Sequence, residues 1–306
     1  MTCYTLDSLD RLNPEGEKPA RYCVIGDPVA HSLSPQLHQP ALDALDLDAR
    51  YVRVEVPEGK VPEAFTKLRA AGINGINVTV PHKLAALAAC DEVDPAAAAM
   101  GAVNTIVFDD DSRHGFNTDG PGFVRAIREE FNMDLRDLKV ALIGAGGGAG
   151  RAIATQCALE KVPRLVLANR SLGKIEEMKK DLSAHFQSDQ LEGPGDRLLT
   201  HALEDESLEE SIRSSDLLIN TTSVGLKTSD PSPIPASWIE PHHLVYDTIY
   251  NPSRTRLLQD AEANGARIAN GLSLLLHQGA LSFEYWTGKA APLSEMRKNL
   301  AHCLPD

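Results

Sequence analysis

The stretch Lys139-Val-Ala-Leu-Ile-Gly-Ala-Gly-Gly-Gly-Ala-Gly150 decides the fold of this 306-residue chain. Its apolar start has the character of a buried strand and runs directly into the turn pattern G-x-G-x-x-A at Gly144, Gly146 and Ala149. Residues 147–160 then read as a helix. Strand, glycine turn and helix in that order let backbone N–H groups approach a pyrophosphate at the helix N-terminus. Glycines also mark ordinary tight turns, so the flanking strand and helix carry the dinucleotide reading. The candidate cradle is Gly144, Ala145, Gly146, Gly147, Gly148 and Ala149.

The next strand candidate, Arg164-Leu-Val-Leu-Ala168, is followed by Asn169-Arg170-Ser171, with Lys174 close behind. An NAD site usually places Asp or Glu here, accepting from the ribose 2′-hydroxyl. This chain offers a guanidinium, an ammonium, a hydroxyl and an amide, but no acid. Those groups suit a 2′-phosphate, for which Arg supplies planar paired donors. NADP is therefore expected in preference to NAD. A polar helix start with two solvated charges is the alternative, and the glycine turn upstream weighs against it.

The same alternation of strands and helices extends in both directions, the mark of an α/β fold with mostly parallel sheets. Upstream, strands are expected near 21–25, 50–56, 74–79 and 103–108, with helices near 35–46, 60–71, 82–90 and 95–100. Downstream, strands are expected at 216–219 and 244–247, with helices at 172–186 and 253–264. Residues 272–286 and 292–303 also read as helices, but no strand follows them. They are expected to pack back on the first domain and make it discontinuous. Residues 187–197 and 227–237 are rich in Gly, Pro, Ser and Asp and read as surface loops.

Composition narrows the function. Thirty basic against 43 acidic residues give a net charge of −13, which argues against nucleic acid or an anionic membrane as partner. An anionic small molecule would have to find its cations locally. The five cysteines are scattered, with no C-x-x-C pair, as expected for reduced thiols rather than a disulfide framework or metal site. The first twenty residues are polar and acidic, and no stretch approaches the length of a membrane span. A cytoplasmic protein is expected, with no resident metal.

Four segments outside the dinucleotide half carry a resemblance. They are Gly26-Asp-Pro-Val-Ala-His-Ser-Leu-Ser-Pro35, Asn77-Val-Thr-Val-Pro-His-Lys83, Gly101-Ala-Val-Asn-Thr105 and Asn117-Thr-Asp-Gly120. With the glycine turn, Asn169-Arg170 and Gly271–Gly279, these resemble the shikimate dehydrogenase family, in order, over roughly residues 21–300. The resemblance implies two α/β domains. Residues 1–118 with 271–306 would form the substrate-binding domain, completed by the C-terminal helices, and 119–270 a Rossmann-type NADP-binding domain. The implied activity is reversible reduction of 3-dehydroshikimate to shikimate, with substrate between the domains and the chain a monomer or homodimer.

Ser32 and Ser34 stand two apart before a proline that favours an extended conformation at Ser34. Residues i and i+2 of an extended segment share a side, so two hydroxyls could meet one ligand group. Alternatively, Ser34 caps a helix starting at Pro35. The resemblance makes the serines ligands of the substrate carboxylate. Lys83 lies beside Pro81 at a helix start, where the helix dipole disfavours an idle cation. Asp119 opens the helix ending at Phe131 and could be a plain cap. In the family the matching Lys and Asp are the catalytic pair, which suits a carbonyl reduction needing a proton at oxygen. Asn77 and Thr79 share a strand face, and with Asn104 they suit a polyhydroxylated ring. The resemblance adds Gln278 and Tyr250 at the substrate. It places Thr222, Ser223, Thr248 and Gly271 toward the nicotinamide. His31 and His38 read as structural or solvated.

Several positions depart from the usual family pattern: Thr248 for Met, Ser171 for Thr, Lys174 for Arg, Ser273 and Leu274 for Gly and Met, and Gln39 for Asn. Two other readings stay open. One is a quinate/shikimate dehydrogenase of broader specificity. The other, of a different class, is a non-catalytic NADP-sensing protein, which could lose the Lys–Asp pair without penalty.

Overall fold

Two sheets organise the chain in the computed structural model, which describes residues 2–109, 112–186 and 196–303. Residues up to Thr118, joined by the segment from Leu276 onward, form one unit, and Asp119–Leu275 form the other.

The first unit contains β1 (Cys3–Thr5), β2 (Ala20–Gly26), α1 (Ser34–Ala44), β3 (Arg50–Glu55), α2 (Val61–Ala70), β4 (Gly75–Val78), α3 (Lys83–Ala89), β5 (Glu92–Val93), α4 (Pro95–Met100), β6 (Thr105–Asp109) and β7 (Ser112–Phe116). Its strand order is β1-β3-β2-β4-β6-β7-β5. The strands from β1 to β4 are parallel, whereas β6 pairs antiparallel with both β4 and β7. Strands β6 and β7 are consecutive and form a hairpin, which reverses direction and breaks the parallel pattern. In β2 every residue but Arg21 is buried, as expected where helices cover both faces of a central strand. Helix α2 buries Val61, Ala64, Phe65 and Leu68, the i, i+3, i+4, i+7 stripe of an amphipathic helix. Its first-turn Glu63 and last-turn Lys67 and Arg69 complement the helix dipole. Asp94 caps α4 by accepting from the amides of Ala96 and Ala97, and the helix ends at Gly101, delivering the chain to Asn104.

The N-terminal segment, which lies outside the resemblance, has a structural role. Strand β1 extends the sheet along β3, from Cys3 opposite Arg53 to Thr5 opposite Glu55. Leu12, behind it, is fully buried in the first-unit core.

The second unit runs α5 (Asp119–Phe131), β8 (Lys139–Ile143), α6 (Gly148–Leu159), β9 (Arg164–Asn169), α7 (Leu172–Phe186), β10 (Leu198–Ala202), α8 (Leu208–Arg213), β11 (Leu217–Asn220), β12 (Leu244–Asp247), α9 (Arg256–Ala263) and β13 (Arg267–Asn270). The order β10-β9-β8-β11-β12-β13 is fully parallel, the doubly wound arrangement with its switch point between β8 and β11. Alternation along each strand divides the core. Val140 and Leu142 face a cluster with Phe123, Ile153 and Ile175, while Ala141 and Ile143 face one with Ile212 and Leu258. Most of the expected 187–197 loop lies outside the described residues. The 227–237 segment is irregular and ends in a 3₁₀ turn at Ala236–Trp238.

Two helices follow, α10 (Leu272–Thr287) and α11 (Leu293–His302). From Leu276 onward this segment belongs to the first unit, where α11 packs along α1. Gly279 of α10 meets Leu37 so closely that an added Cβ would lie 2.2 Å from its methyl carbon.

Candidate active site

One edge of the first sheet gathers most of the expected substrate ligands. Ser32 and Ser34 follow β2, Thr79 and Lys83 follow β4, and Asn104 precedes the antiparallel β6. Strand ends at such an edge are where α/β sheets place ligand-binding loops.

The serines meet through a turn rather than an extended segment. The Ser32 amide donates to Val29 O, and Ser34 is already the first residue of α1, with Pro35 second. Proline at the start of a helix needs no amide hydrogen, which allows the helix to begin there. Ser34 caps nothing, because the N-cap position is Leu33, which makes no side-chain cap bond. The Ser32 hydroxyl instead accepts from the Ser34 amide at 3.2 Å and donates to the Ser34 hydroxyl at 3.0 Å.

Behind these groups lies a buried polar network that joins the expected Asn77 and Asn104 to Tyr51, Thr105 and Ser282, to which sequence reasoning gave no role. The Tyr51 hydroxyl of β3 donates to Asn77 Oδ1 at 2.7 Å, and the Ser34 hydroxyl is a second polar neighbour. Burial pushes the Tyr51 phenol well above its ordinary pKa, so it is a permanent donor. Asn77 Nδ2 donates to Ser282 Oγ at 3.0 Å, and Ser282 shares a 2.7 Å bond with the Thr105 hydroxyl. Asn104 Oδ1 accepts from the Thr118 amide and the Thr105 hydroxyl, both at 2.9 Å. Asn77 and Asn104 are only 6% and 3% exposed, so their amides are held by the protein rather than by solvent. Satisfied networks of this kind fix orientation, because every rotation would leave a buried group unpaired. The Thr79 hydroxyl has no partner among the described residues.

His38 is part of the same packing. It stacks on Tyr51 with ring centroids 4.6 Å apart and planes 10° from parallel, and Trp286 tilts against it at 5.1 Å. Neither ring nitrogen finds a hydrogen bond of good geometry, and burial lowers its pKa to about 3, partly opposed by Asn77. His38 is thus a neutral core ring, as its structural reading anticipates.

Lys83 is half-buried and is the first residue of α3. Pro81 stands outside the helix, in a turn closed by the His82 amide donating to Thr79 O. His82 is the N-cap residue, and its Nε2 lies 2.6 Å from Val56 O, anchoring that end of the helix. Asp119 is half-buried at the first turn of α5, and Gln278 is half-buried in α10, its carbonyl accepting from Ser282. Tyr250 belongs to the second unit, where burial raises its pKa.

In the second unit the glycine turn is built as its sequence requires. Gly144 adopts φ +88°, a left-handed conformation, and a Cβ there would lie 2.6 Å from the Thr222 methyl. A Cβ on Gly146 would lie 2.7 Å from the Asn169 amide nitrogen. A Cβ on Gly148, the first residue of α6, would meet nothing within 4 Å, while the Gly147 amide closes the turn by donating to Gly144 O at 3.1 Å. Asn169 ends β9, and Arg170, Ser171 and Lys174 follow it and are exposed. Neither Arg170 nor Lys174 pairs with a carboxylate among the described residues. The cradle and its unpaired cations therefore fit a phosphorylated dinucleotide.

The opposite side of the switch point is held by Asn220 and Asp247, both fully buried. Asn220 Oδ1 accepts from the Thr222 amide and hydroxyl, and its Nδ2 donates to Asp247 Oδ1 at 3.0 Å. Burial raises the Asp247 pKa, opposed by donors from Thr255, Ile249 and Asn220. Thr248 donates its hydroxyl to Asn220 O at 2.8 Å, and Ser273 bonds the Tyr246 hydroxyl at 3.0 Å. Thr248 thus puts a hydrogen bond where the family pattern has an apolar side chain, and Ser273 adds a hydroxyl where it has glycine. A Cβ on Gly271 would lie 2.0 Å from Thr248 O, so only glycine fits. Ser223 is exposed beside Thr222.

Known proteins resemble this chain along most of its length. The model of the shikimate dehydrogenase substrate binding domain matches residues 24–106, and that of the shikimate 5′-dehydrogenase C-terminal domain matches 271–300. A curated NADP(+) shikimate dehydrogenase of Methanopyrus kandleri is 40% identical over 277 residues, covering 90% of this chain and 92% of its own. A shikimate dehydrogenase solved with NADP+ superposes with a TM-score of 0.86 at 32% identity, over 96% of this chain and all of the other. The Thermus thermophilus enzyme, solved with NADP(H) and shikimate, gives 0.81 at 35% identity, over 93% of this chain and 100% of its own.

Proposed function

The chain belongs to the shikimate dehydrogenase family, and from that premise we propose that it interconverts 3-dehydroshikimate and shikimate with NADP, using Lys83 and Asp119 as its acid–base pair. The observation that carries the substrate side is the hydroxyl pair of Ser32 and Ser34, 3.0 Å apart at the sheet edge that also bears Lys83. Two convergent hydroxyls suit the oxygens of a carboxylate. Asn77, Thr79, Asn104 and Gln278 offer the neutral donors and acceptors that ring hydroxyls need, and Tyr250 supplies a further hydroxyl.

NADP, when bound, accepts or supplies the hydride. The protein's part is to hold the ring and manage the proton. Lys83 gives a proton to the carbonyl oxygen as the ketone is reduced and takes one from the hydroxyl in reverse. Asp119 orients that ammonium and accepts from a substrate hydroxyl. Gly144–Ala149 and the α6 N-terminus would hold the pyrophosphate, while Arg170 and Lys174, with Ser171 and Asn169, would hold the 2′-phosphate. Thr222, Ser223, Thr248 and Gly271 line the nicotinamide side.

No helix among the described residues is long and apolar enough to cross a membrane. The charge of −13 and scattered cysteines favour a cytoplasmic enzyme with small-molecule partners, monomeric or homodimeric. The direct test follows NADPH absorbance with shikimate, then with quinate, and then with NAD in place of NADP. Rapid NADPH formation from shikimate supports the reading. A protein that binds NADP but turns over neither acid would be the non-catalytic sensor.

A further inference from the structure

Strand β3 carries a buried cation that the mechanism above does not use. Arg53 stands two residues from Tyr51, so both side chains leave the same face of the strand. Its residue is 5% exposed. Nε and one terminal nitrogen donate to the Ser32 carbonyl at 3.0 and 2.6 Å, and that nitrogen also donates to Gln36 Oε1 at 2.9 Å.

Every acceptor Arg53 finds is neutral, and it forms no ion pair among the described residues. The neighbouring Arg50 behaves in the ordinary way, pairing with Glu17. Buried arginines are ordinarily matched by an acid, because desolvating a charge is costly without a counter-charge. An unmatched one in a chain of net charge −13 therefore stands out. The group it grips is the backbone of Ser32, whose hydroxyl forms the pair with Ser34.

We propose that Arg53 is a positioning residue for the substrate carboxylate, fixing the Ser32 turn from behind while its unmatched charge favours an anion at the serine pair. This extends the assignment of Ser32 and Ser34 as carboxylate ligands and rests on it. It answers how an acidic protein attracts an acidic substrate: the cation is stored under the loop, where bulk water screens it little. Lysine is a poor substitute, because one ammonium cannot reproduce the two-nitrogen grip on a carbonyl.

The test separates charge from mere pinning. KM and kcat are measured for shikimate and for its uncharged methyl ester in the parent, Arg53→Gln, Arg53→Lys and Ser34→Ala, with NADP affinity followed by fluorescence. Arg53→Gln should raise KM for shikimate roughly tenfold, the loss expected for a through-space charge a few ångströms behind the site, with kcat moved far less. Its KM for the ester should shift by no more than a few-fold, and NADP affinity should hold. Arg53→Lys should lose affinity yet keep the preference for acid over ester, and this stands as the test even if the Gln variant does not fold. Equal losses for acid and ester in Arg53→Gln, or loss of that preference in Arg53→Lys, would overturn the proposal. Ser34→Ala that leaves KM for shikimate unchanged would instead remove the serine assignment beneath it.

Discussion

Replacing His38 by Phe should flatten the pH dependence of stability on the acid side. The ring is buried against Tyr51 and Trp286, and its pKa in the folded chain falls from 6.5 to about 3. Between those values the unfolded chain binds a proton that the folded chain refuses, so stability rises with pH across that window. The contribution is fully present above the unfolded value of 6.5 and is lost progressively as pH falls toward 3. At about pH 5 nearly all unfolded imidazole is charged and almost none of the native ring is, which amounts to about 2 kcal/mol lost relative to neutral pH. Phe keeps the stacked ring and removes the proton site. Urea unfolding of parent and variant, followed by tryptophan fluorescence from about pH 7.5 to pH 5, isolates the difference because shared carboxylates cancel. The parent should lose about 2 kcal/mol more than the variant over that range. Parallel slopes would mean that His38 titrates normally and is not sealed in the core.

Other expectations concern the chemistry. Lys83→Ala should lower turnover by ~10²–10⁴-fold with NADP binding nearly intact, and combining it with Asp119→Asn should cost less than the sum of the two, since they act as a unit. Stopped-flow single turnovers would show it. Arg170→Ala should weaken NADP by roughly 10–100-fold and NAD much less, measured by titrating each cofactor. Ser34→Gly should narrow the ratio of kcat/KM for shikimate over quinate, because quinate carries an extra hydroxyl at the carboxylate-bearing carbon, and burying it unpaired costs ~1–3 kcal/mol. Gly271→Ala forces a Cβ within 2.0 Å of Thr248 O and should destabilise the second unit by about 3 kcal/mol or more, visible as a lowered melting temperature.

What could be read from the sequence was what is local. The strand, glycine turn and helix around Gly144 are contiguous, and Arg170, proposed to select the phosphate, follows at a fixed spacing. Ser32 and Asn104 sit in loops, and Ser34 and Lys83 open helices directly after loops, where polar residues invite a functional question. Tyr51 and Arg53 did not, because Arg50-Tyr-Val-Arg-Val-Glu55 reads as an ordinary alternating strand in which the arginine could face water. Their meaning depends on partners distant in the chain: Ser32 for Arg53, Asn77 for Tyr51, and Ser282 for Asn77. Short strands also escaped notice. β1, β5 and β13 have two to four residues and no apolar run, and Ser112-Arg-His-Gly-Phe116 owes its strand to pairing with β6 rather than to its own residues.

Strand β1 covers the β3 edge of the first sheet. Homology to the substrate-domain model begins at residue 24, yet the folded sheet begins at Cys3. Without β1, the outer row of β3 peptide groups would be an open edge able to pair with another strand, including that of a second molecule. The strand bearing Tyr51 and Arg53 would then lie on the rim of the protein instead of one row inside it. The folded sheet therefore starts some twenty residues before the matched domain model, and β1 governs how firmly the strand bearing Tyr51 and Arg53 is held.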